Sequence, residues 1–327
     1  MLNPPTPPSL RLPFTYDSEL LVRDLETAYR FVWKPESPFI LQYFNGSKTP
    51  VFHDGKWKGL GLVTQGGSSK RTDPGGPGLS AFKESEVLAH TPYFRKVVED
   101  LKCPKRSVRL SLLPPGANIQ EHCDTYHDFR FGQVRLHVPL ITHDEVLMTI
   151  GGERVRWAPG ELWYGDFSKP HKVVNNSPVT RVHIIMDVMI NPFILSLFPP
   201  DIVERWRERG IVMHRKAIRL PKRRLKEFEC KFYVPQAVLG GLFEMDDGSP
   251  ARHEASIRLV GKKLRFYLEE RPMFALDPVT PRRFYLTGWV GERFFEFRKE
   301  NGTVTGLKLV MRDGNHRSHI QFPLLPV

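Results

Sequence analysis

The sequence predicts a mainly β protein made of two β-rich domains, and three observations lead there. Between residues 107 and 190 the apolar pattern falls into short runs, SVRLSLL, VRLHVPLI, VLMTIGG, RVRWAPGELWYGD and TRVHIIMDVMI, parted by PPG, GG, PG and NNSP turn signals. That is the spacing of a sandwich or barrel. Beyond residue 229 a second series, KFYVPQAVLGGLFEM, ASIRLVGKKLRFYLEE, RRFYLTG, RFFEFRKENGTVTGLKLVMR and SHIQFPL, reads as an antiparallel meander. Between the two series, residues 204–229 hold ten basic and four acidic side chains. The resulting division is 1–200, a basic connector over 201–228, and a smaller domain over 229–327.

Taken in order, the proline-rich MLNPPTPPSLRLPF is an extended arm without the basic-then-apolar order of a secretion signal. SELLVRDLETAYRFV, residues 18–32, carries apolar positions at helical spacing, with Ser18 three residues ahead of Leu21, and predicts a helix; a second is expected over 84–102. Strands follow to residue 190. In the C-terminal series Asn301-Gly302 marks a hairpin turn. Phe232, Tyr233, Leu264, Phe266, Tyr285, Phe294, Phe295 and Leu309 give that series apolar material for a core of its own.

Composition narrows the function classes. The 327 residues are 40% apolar and 26% charged, with no run of eighteen apolar residues, so a membrane partner is not expected. Three cysteines, Cys103, Cys123 and Cys230, are too few and scattered for a disulfide framework or a thiolate zinc site, which fits the cytoplasm. The formal charge is +12, much of it in the connector, where Trp206 and Phe228 are the only aromatics. A solvated linker or a docking surface for an acidic partner suits that pattern better than a nucleic-acid surface.

The chemistry gathers in EHCDTYHDFRFGQVRLH, residues 121–137. In an extended chain His122 and Asp124 project to one side, an imidazole and a carboxylate aimed at one point. A third ligand must come from elsewhere, and His171, just after the turn GDFSKP, is the best placed. Two imidazoles and a carboxylate on one face of an octahedral ion leave three positions open, which suits a non-haem Fe(II) that meets a co-substrate and O2 together. Arg135 with His137, and Arg181 with His183, repeat the same-side spacing on two strands. A buried guanidinium needs an anion, and a dicarboxylate fits its planar, two-pronged geometry. Any one of these residues alone could be an exposed strand charge or a core histidine. Arg109 shares the inward parity and is a candidate for a substrate carboxylate. His127 and Asp128, in the loop TYHDFRFGQ, could cover a substrate or be loop charges.

The stretch from SVRLSLLPPGANIQEHCD through RLHVPLIT, GELWYGDFSKPHKVVNNS and RVHIIMD resembles the aspartyl/asparaginyl β-hydroxylase family of Fe(II)/2-oxoglutarate dioxygenases, over roughly residues 100–190. The resemblance implies a double-stranded β-helix, the jelly-roll of cupins, flanked by the N-terminal helices. It implies His122, Asp124 and His171 as iron ligands and Arg181 on the distal carboxylate of 2-oxoglutarate, assisted by Ser111. It puts Arg135 and His137 at or around the near carboxylate. Asp124 matches the proline cis-4-hydroxylase branch; the mammalian aspartyl hydroxylases have a glycine there. Fe(II), 2-oxoglutarate and O2 are thus the expected cofactors, and the expected reaction is hydroxylation of an unactivated C–H of an amino acid, or of an Asp, Asn or Pro residue in a peptide. Asp166 is placed to shape the turn before His171. Two other classes stay open, a cupin-like metal-dependent isomerase or sugar-modifying enzyme and a non-catalytic binding protein. The C-terminal meander looks similar to the small β-barrel appended to some penicillin-recognising hydrolases, which implies a barrel and no activity.

Overall fold

The computed structural model describes residues 6–36, 53–124, 126–243 and 251–326. Residues 1–5 of the arm, Thr125 of the loop and residues 244–245 of the meander lie outside it. Chain contacts divide the protein into two units, with the later boundary between His214 and Arg215.

The first unit runs β1 (Ser9–Thr15), α1 (Ser18–Ala28), β2 (Lys34–Pro35), β3 (Lys58–Gln65), β4 (Phe82–Glu84), α2 (Glu86–His90), α3 (Pro92–Asp100), β5 (Lys105–Leu113) and β6 (Asn118–His122). It continues with β7 (Gln133–Ile141), β8 (Val146–Ile150), β9 (Glu153–Val155), β10 (Glu161–Gly165), β11 (His171–Asn175), β12 (Arg181–Met189), α4 (Pro192–Ser196) and α5 (Pro200–Arg209). One sheet has the order β1-β10-β7-β12-β5-β3-β2, and a smaller one the order β6-β11-β8-β9. Of the eight strands β5 to β12, β5, β7, β10 and β12 lie in the larger sheet and β6, β8, β9 and β11 in the smaller, with the β8–β9 hairpin at the turning point, the double-stranded β-helix pattern, as expected. The proline-rich arm is extended and its Ser9–Thr15 stretch adds an edge strand against β10.

Strand parity sorts the side chains. Val108 and Leu110, Val134, Leu136 and Val138, and Val182, Ile184 and Met186 face the helices, where Leu21, Leu25, Phe94 and Val97 complete an apolar layer. The opposite parity, Arg109 and Ser111, Arg135 and His137, Arg181, His183 and Asp187, is buried and polar. A core of Leu113, Ile119, Ile150, Trp157, Phe167 and Val173 lies beside these polar groups.

Two expectations are corrected locally. The helix over 18–32 stops at Ala28, and its start is capped by Asp17, which accepts from the Glu19 and Leu20 amides at 2.9 and 3.1 Å. The helix over 84–102 is broken into α2 and α3 at Thr91 (φ −124°, ψ 76°), because Pro92 drives its predecessor out of the helical region. Asp24 of α1 caps the second piece, accepting from the Tyr93 and Phe94 amides at 2.6 and 3.0 Å. The connector is not a bare linker either: α5 buries Ile202, Val203 and Trp206, and Trp206 stacks on Phe129.

The second unit is a meander of β13 (Cys230–Pro235), β14 (Arg252–Val260), β15 (Lys263–Leu268), β16 (Arg271–Thr280), β17 (Arg283–Leu286), β18 (Glu292–Glu300), β19 (Thr303–Asp313) and β20 (His316–Phe322), each paired with the next. Leu325 donates to the Lys231 carbonyl at 2.9 Å and Phe232 bridges Leu324, so the last residues return to the first strand and nearly close a barrel. Phe232, Phe266, Phe274, Phe295 and Phe322 fill it. Asn301 (φ 49°) and Gly302 (φ 83°) make the expected tight hairpin. Among the described residues no helix is long and apolar enough to cross a membrane.

With its own core, the second unit is expected to survive trypsin cleavage within residues 215–224 as a stable C-terminal fragment. Mass spectrometry of a limited digest checks this, and fragments scattered through 252–326 would argue against it.

Candidate metal centre

His122 ends β6 and His171 begins β11, and antiparallel pairing sets the two residues directly opposite each other. Their ring centroids are 4.2 Å apart. His122 Nδ1 lies 2.8 Å from the Gln120 carbonyl and His171 Nδ1 lies 3.0 Å from the Lys169 carbonyl. A carbonyl only accepts, so each Nδ1 carries the proton and each Nε2 the lone pair. Asp124, just past the strand, is anchored by its own amide, which donates to the Phe167 carbonyl at 2.8 Å. Cys123 between them is exposed. One ligand atom from each of His122, Asp124 and His171 falls within 4.8 Å of the others, a grouping able to hold a metal ion.

The electrostatics suit a cation. Burial pushes the His171 imidazole down to about 4, with His122 adding to the effect and Asp124 opposing it, so the ring is neutral at pH 7. Burial pushes the Asp124 carboxyl up, but the Arg135 charge, with His127, His171 and His122, outweighs it and holds the group below the usual carboxylate range. His171 and Asp124 therefore stand ready at neutral pH without losing a proton.

The turn before His171 is built by three neighbours. Asp166 accepts from Ser168 Oγ at 2.5 Å, and its carbonyl accepts from the Lys169 amide at 3.1 Å. Phe167 lies edge-on to His171 (4.9 Å, 88°), stacks on His137 (5.0 Å, 21°) and sits beneath the Arg135 guanidinium. Gly165 leaves room for that ring: a Cβ there would stand 2.6 Å from Phe167 Cε2.

The other sequence-derived residues fall into two groups. Arg181, His183, His137 and Ser111 gather along the inward face, with Ser111 opposite His183 in the β5–β12 register. Arg181 Nη2 donates to His183 Nδ1 at 3.0 Å, and among the described residues its guanidinium meets no carboxylate. Burial pulls the guanidinium down to about 9. His137 Nε2 and His183 Nε2 are buried without a hydrogen-bond partner. A cavity of about 420 Å3, walled by Met148, Trp157, Glu161, Arg181 and His183, opens there. Ser111 Oγ accepts from Trp57 Nε1 at 2.8 Å.

Arg135, Arg109 and His127 turn elsewhere, onto Asp187. Arg135 Nε and Nη2 donate to the two oxygens of Asp187 at 2.7 and 3.2 Å, and Nη1 binds Asp124. Arg109 Nη1 donates to Asp187 at 3.2 Å and its Nε to Glu36 at 2.5 Å. His127 Nε2 lies 3.1 Å from Asp187. Asp128, by contrast, caps the turn at Phe129–Phe131 and pairs with Arg130 near the surface. Asp187 and Glu36 were not singled out in the sequence. Asp187 shares the parity of Arg181 and His183, which was a signal; Glu36 had none.

Comparison with known proteins gives one family. Residues 33–191 match the family model described as aspartyl/asparaginyl beta-hydroxylase. No curated protein matches. Among solved structures the chain is similar to an oxidoreductase of the 2OG-Fe(II) oxygenase family from Burkholderia pseudomallei (11% identity, 56% of this chain, 84% of that one, TM-score 0.38). It is also similar to a Pseudomonas putida prolyl-4-hydroxylase (15%, 57% and 94%, 0.32). A third is a Trichoplax adhaerens prolyl hydroxylase in complex with a hypoxia inducible factor oxygen degradation domain peptide fragment (13%, 55% and 82%, 0.36). At these TM-scores no residue's role carries over from them.

A pH dependence follows from His171. Its proton affinity is lower folded than unfolded, so the unfolded chain binds more protons between pH 6.5 and about 4. Stability of the metal-free protein is expected to be full above pH 6.5 and to fall by up to about 3 kcal/mol from this group as pH drops through 4. Urea unfolding at several pH values checks it: the His171→Ala slope should be shallower, and equal slopes would contradict the burial argument.

Proposed function

We propose, since residues 33–191 match the model of the aspartyl/asparaginyl β-hydroxylase family, that the protein is an Fe(II)/2-oxoglutarate-dependent oxygenase in which His122, Asp124 and His171 hold the iron and Arg181 binds the distal carboxylate of 2-oxoglutarate. The observation that carries the second assignment is the Arg181 guanidinium, buried beside a cavity with no carboxylate among the described residues against it. A buried charge in that state is costly until an anion arrives. A two-pronged donor matches a carboxylate.

Bound iron supplies the O2 chemistry that couples loss of CO2 from 2-oxoglutarate to hydroxylation of a C–H bond. The chain supplies the rest. His122 and His171 present fixed lone pairs, and their carbonyl partners keep the tautomers from switching. His183 and Ser111 lie beside Arg181 on the inward face and orient the dicarboxylate from its side, while His137, with its unpartnered Nε2, faces the near end. Trp157 and Phe167 wall the site in apolar rings and exclude water.

For the substrate, we propose an amino acid or an Asp, Asn or Pro residue in a peptide. Asp124 supports the proline-hydroxylating branch, which has a carboxylate at that position. An acidic partner at the basic stretch is supported by Lys216, Arg219, Lys222 and Arg223, which are all exposed. Cys103, Cys123 and Cys230 are free thiols, which supports the cytoplasm as the working compartment.

Succinate release from 2-oxoglutarate, dependent on Fe(II), tests the reading, and screening amino acids and short peptides for a one-oxygen mass gain identifies the substrate. His171→Ala is expected to release no succinate above background; full turnover by that variant would remove His171 from the centre. Arg181→Lys is expected to weaken 2-oxoglutarate binding by about 2 kcal/mol, roughly thirtyfold. An unchanged dissociation constant in calorimetry would place the dicarboxylate elsewhere.

A further inference from the structure

We propose that Asp187 is a positioning residue for the metal carboxylate, acting through Arg135, and that it makes Asp124 a one-oxygen ligand. The proposal rests on the assignment of His122, Asp124 and His171 as the iron ligands.

Asp187 on β12 pairs directly with Arg135 on β7, which brings a carboxylate and a guanidinium onto the same buried face. Asp187 is 0% exposed, and both its oxygens are occupied: Oδ1 by Arg135 Nε with His127 Nε2 beside it, Oδ2 by Arg135 Nη2 and Arg109 Nη1. Burial raises its pKa, but Arg135, His127 and Arg109 more than offset that and keep it ionised. A carboxylate gripping one edge of a planar guanidinium fixes the direction of every remaining N–H. Here the remaining N–H groups end on Asp124 Oδ2, from Nη1, and on His127 Nε2, 3.0 Å from Nη2.

Asp124 is then held at two points, by its amide on the Phe167 carbonyl and by Oδ2 on Arg135. Oδ1, 3.9 Å from His122 Nε2, is the oxygen turned towards the His122 imidazole. Lysine at 135 could reach one carboxylate but could not brace both. On the far side Arg109 is braced in turn by Glu36, so the hub has little freedom to rotate. Apolar residues of similar size are often as stable as a buried ion pair, or more so. A carboxylate buried at the centre of such a chain therefore calls for a role beyond stability, and orientation of Asp124 is the role its contacts describe.

The test is titration of Co(II) into the metal-free full-length protein, without 2-oxoglutarate, followed by visible absorption. Asp187→Asn is expected to weaken Co(II) binding roughly 10- to 100-fold, the range for a lost outer partner of a metal ligand, and to change the spectrum of the Co(II)-saturated protein. In an Asp124→Ala background the same substitution should add less than about twofold, since the path through Asp124 is already gone. A purely structural role predicts the same penalty in both backgrounds and a saturated spectrum like wild type; either result overturns the proposal. Where Asp124→Ala binds too weakly to titrate, the saturated spectrum of Asp187→Asn decides alone. Near-UV circular dichroism checks the fold, and if Asp187→Asn does not fold, Arg135→Lys carries the same cycle with its charge retained. Wild-type protein that binds no Co(II) overturns the ligand assignment itself, which separates that failure from a failure of Asp187.

Discussion

The buried contact between Asp187 and Arg135 is the constraint around which the jelly-roll interior is arranged. Three central strands of the larger sheet turn their polar parity inward, and a fold that does so must pair what it buries. Asp187 does this for Arg135, Arg109 and His127 together. Without it Arg135 would keep only the Asp124 carboxylate and Arg109 only that of Glu36, and no shared carboxylate would tie the two guanidinium groups together. With it, the polar face divides into a paired half, leading to Asp124, and a second half where, among the described residues, His183 Nε2 and His137 Nε2 have no hydrogen-bond partner and Arg181 meets no carboxylate. The division has chemical content. The paired half steadies Asp124, the proposed metal ligand, and the unpaired half is where an anion would gain most by binding.

The two sheets contribute differently. The smaller sheet carries His122 and His171 at the ends of adjacent strands, opposite each other, so the imidazoles owe their spacing to backbone pairing alone. The larger sheet carries the charges. Phe167 joins the two systems: its carbonyl holds the Asp124 amide, its ring lies against His171 and His137, and Arg135 covers it. Ligands supported by strands and by one packed ring, with no dependence on long side chains in solvent, are well suited to keeping their geometry before an ion binds.

Much of this was legible in the sequence because β-strands obey a period of two. Parity alone put Arg109, Ser111, Arg135, His137, Arg181 and His183 on common faces, and all six are buried. What parity cannot give is register, the identity of the residue across the ladder. Arg135 was paired with a co-substrate carboxylate in the sequence reading, because nothing local reveals that Asp187, fifty-two positions on, stands opposite it. His127 was weighed as a loop charge; it is buried because Phe129, two residues later, is drawn under Trp206 and pulls the loop inward. The break before Pro92 was legible and overlooked. The β15–β16 turn carried no signal, since Glu269 and Glu270 take positive φ with no glycine to announce it.

The account's central claim is that His122, Asp124 and His171 bind iron so that 2-oxoglutarate can chelate it, with Arg181 at the far carboxylate. Anaerobic addition of 2-oxoglutarate to Fe(II)-loaded protein, followed by visible absorption, tests that claim without needing the substrate. The account predicts a weak metal-to-ligand charge-transfer band that saturates with 2-oxoglutarate in the wild type and is absent from His122→Ala. A wild-type protein that retains Fe(II) but develops no band, or a His122→Ala variant with the full band, would contradict it.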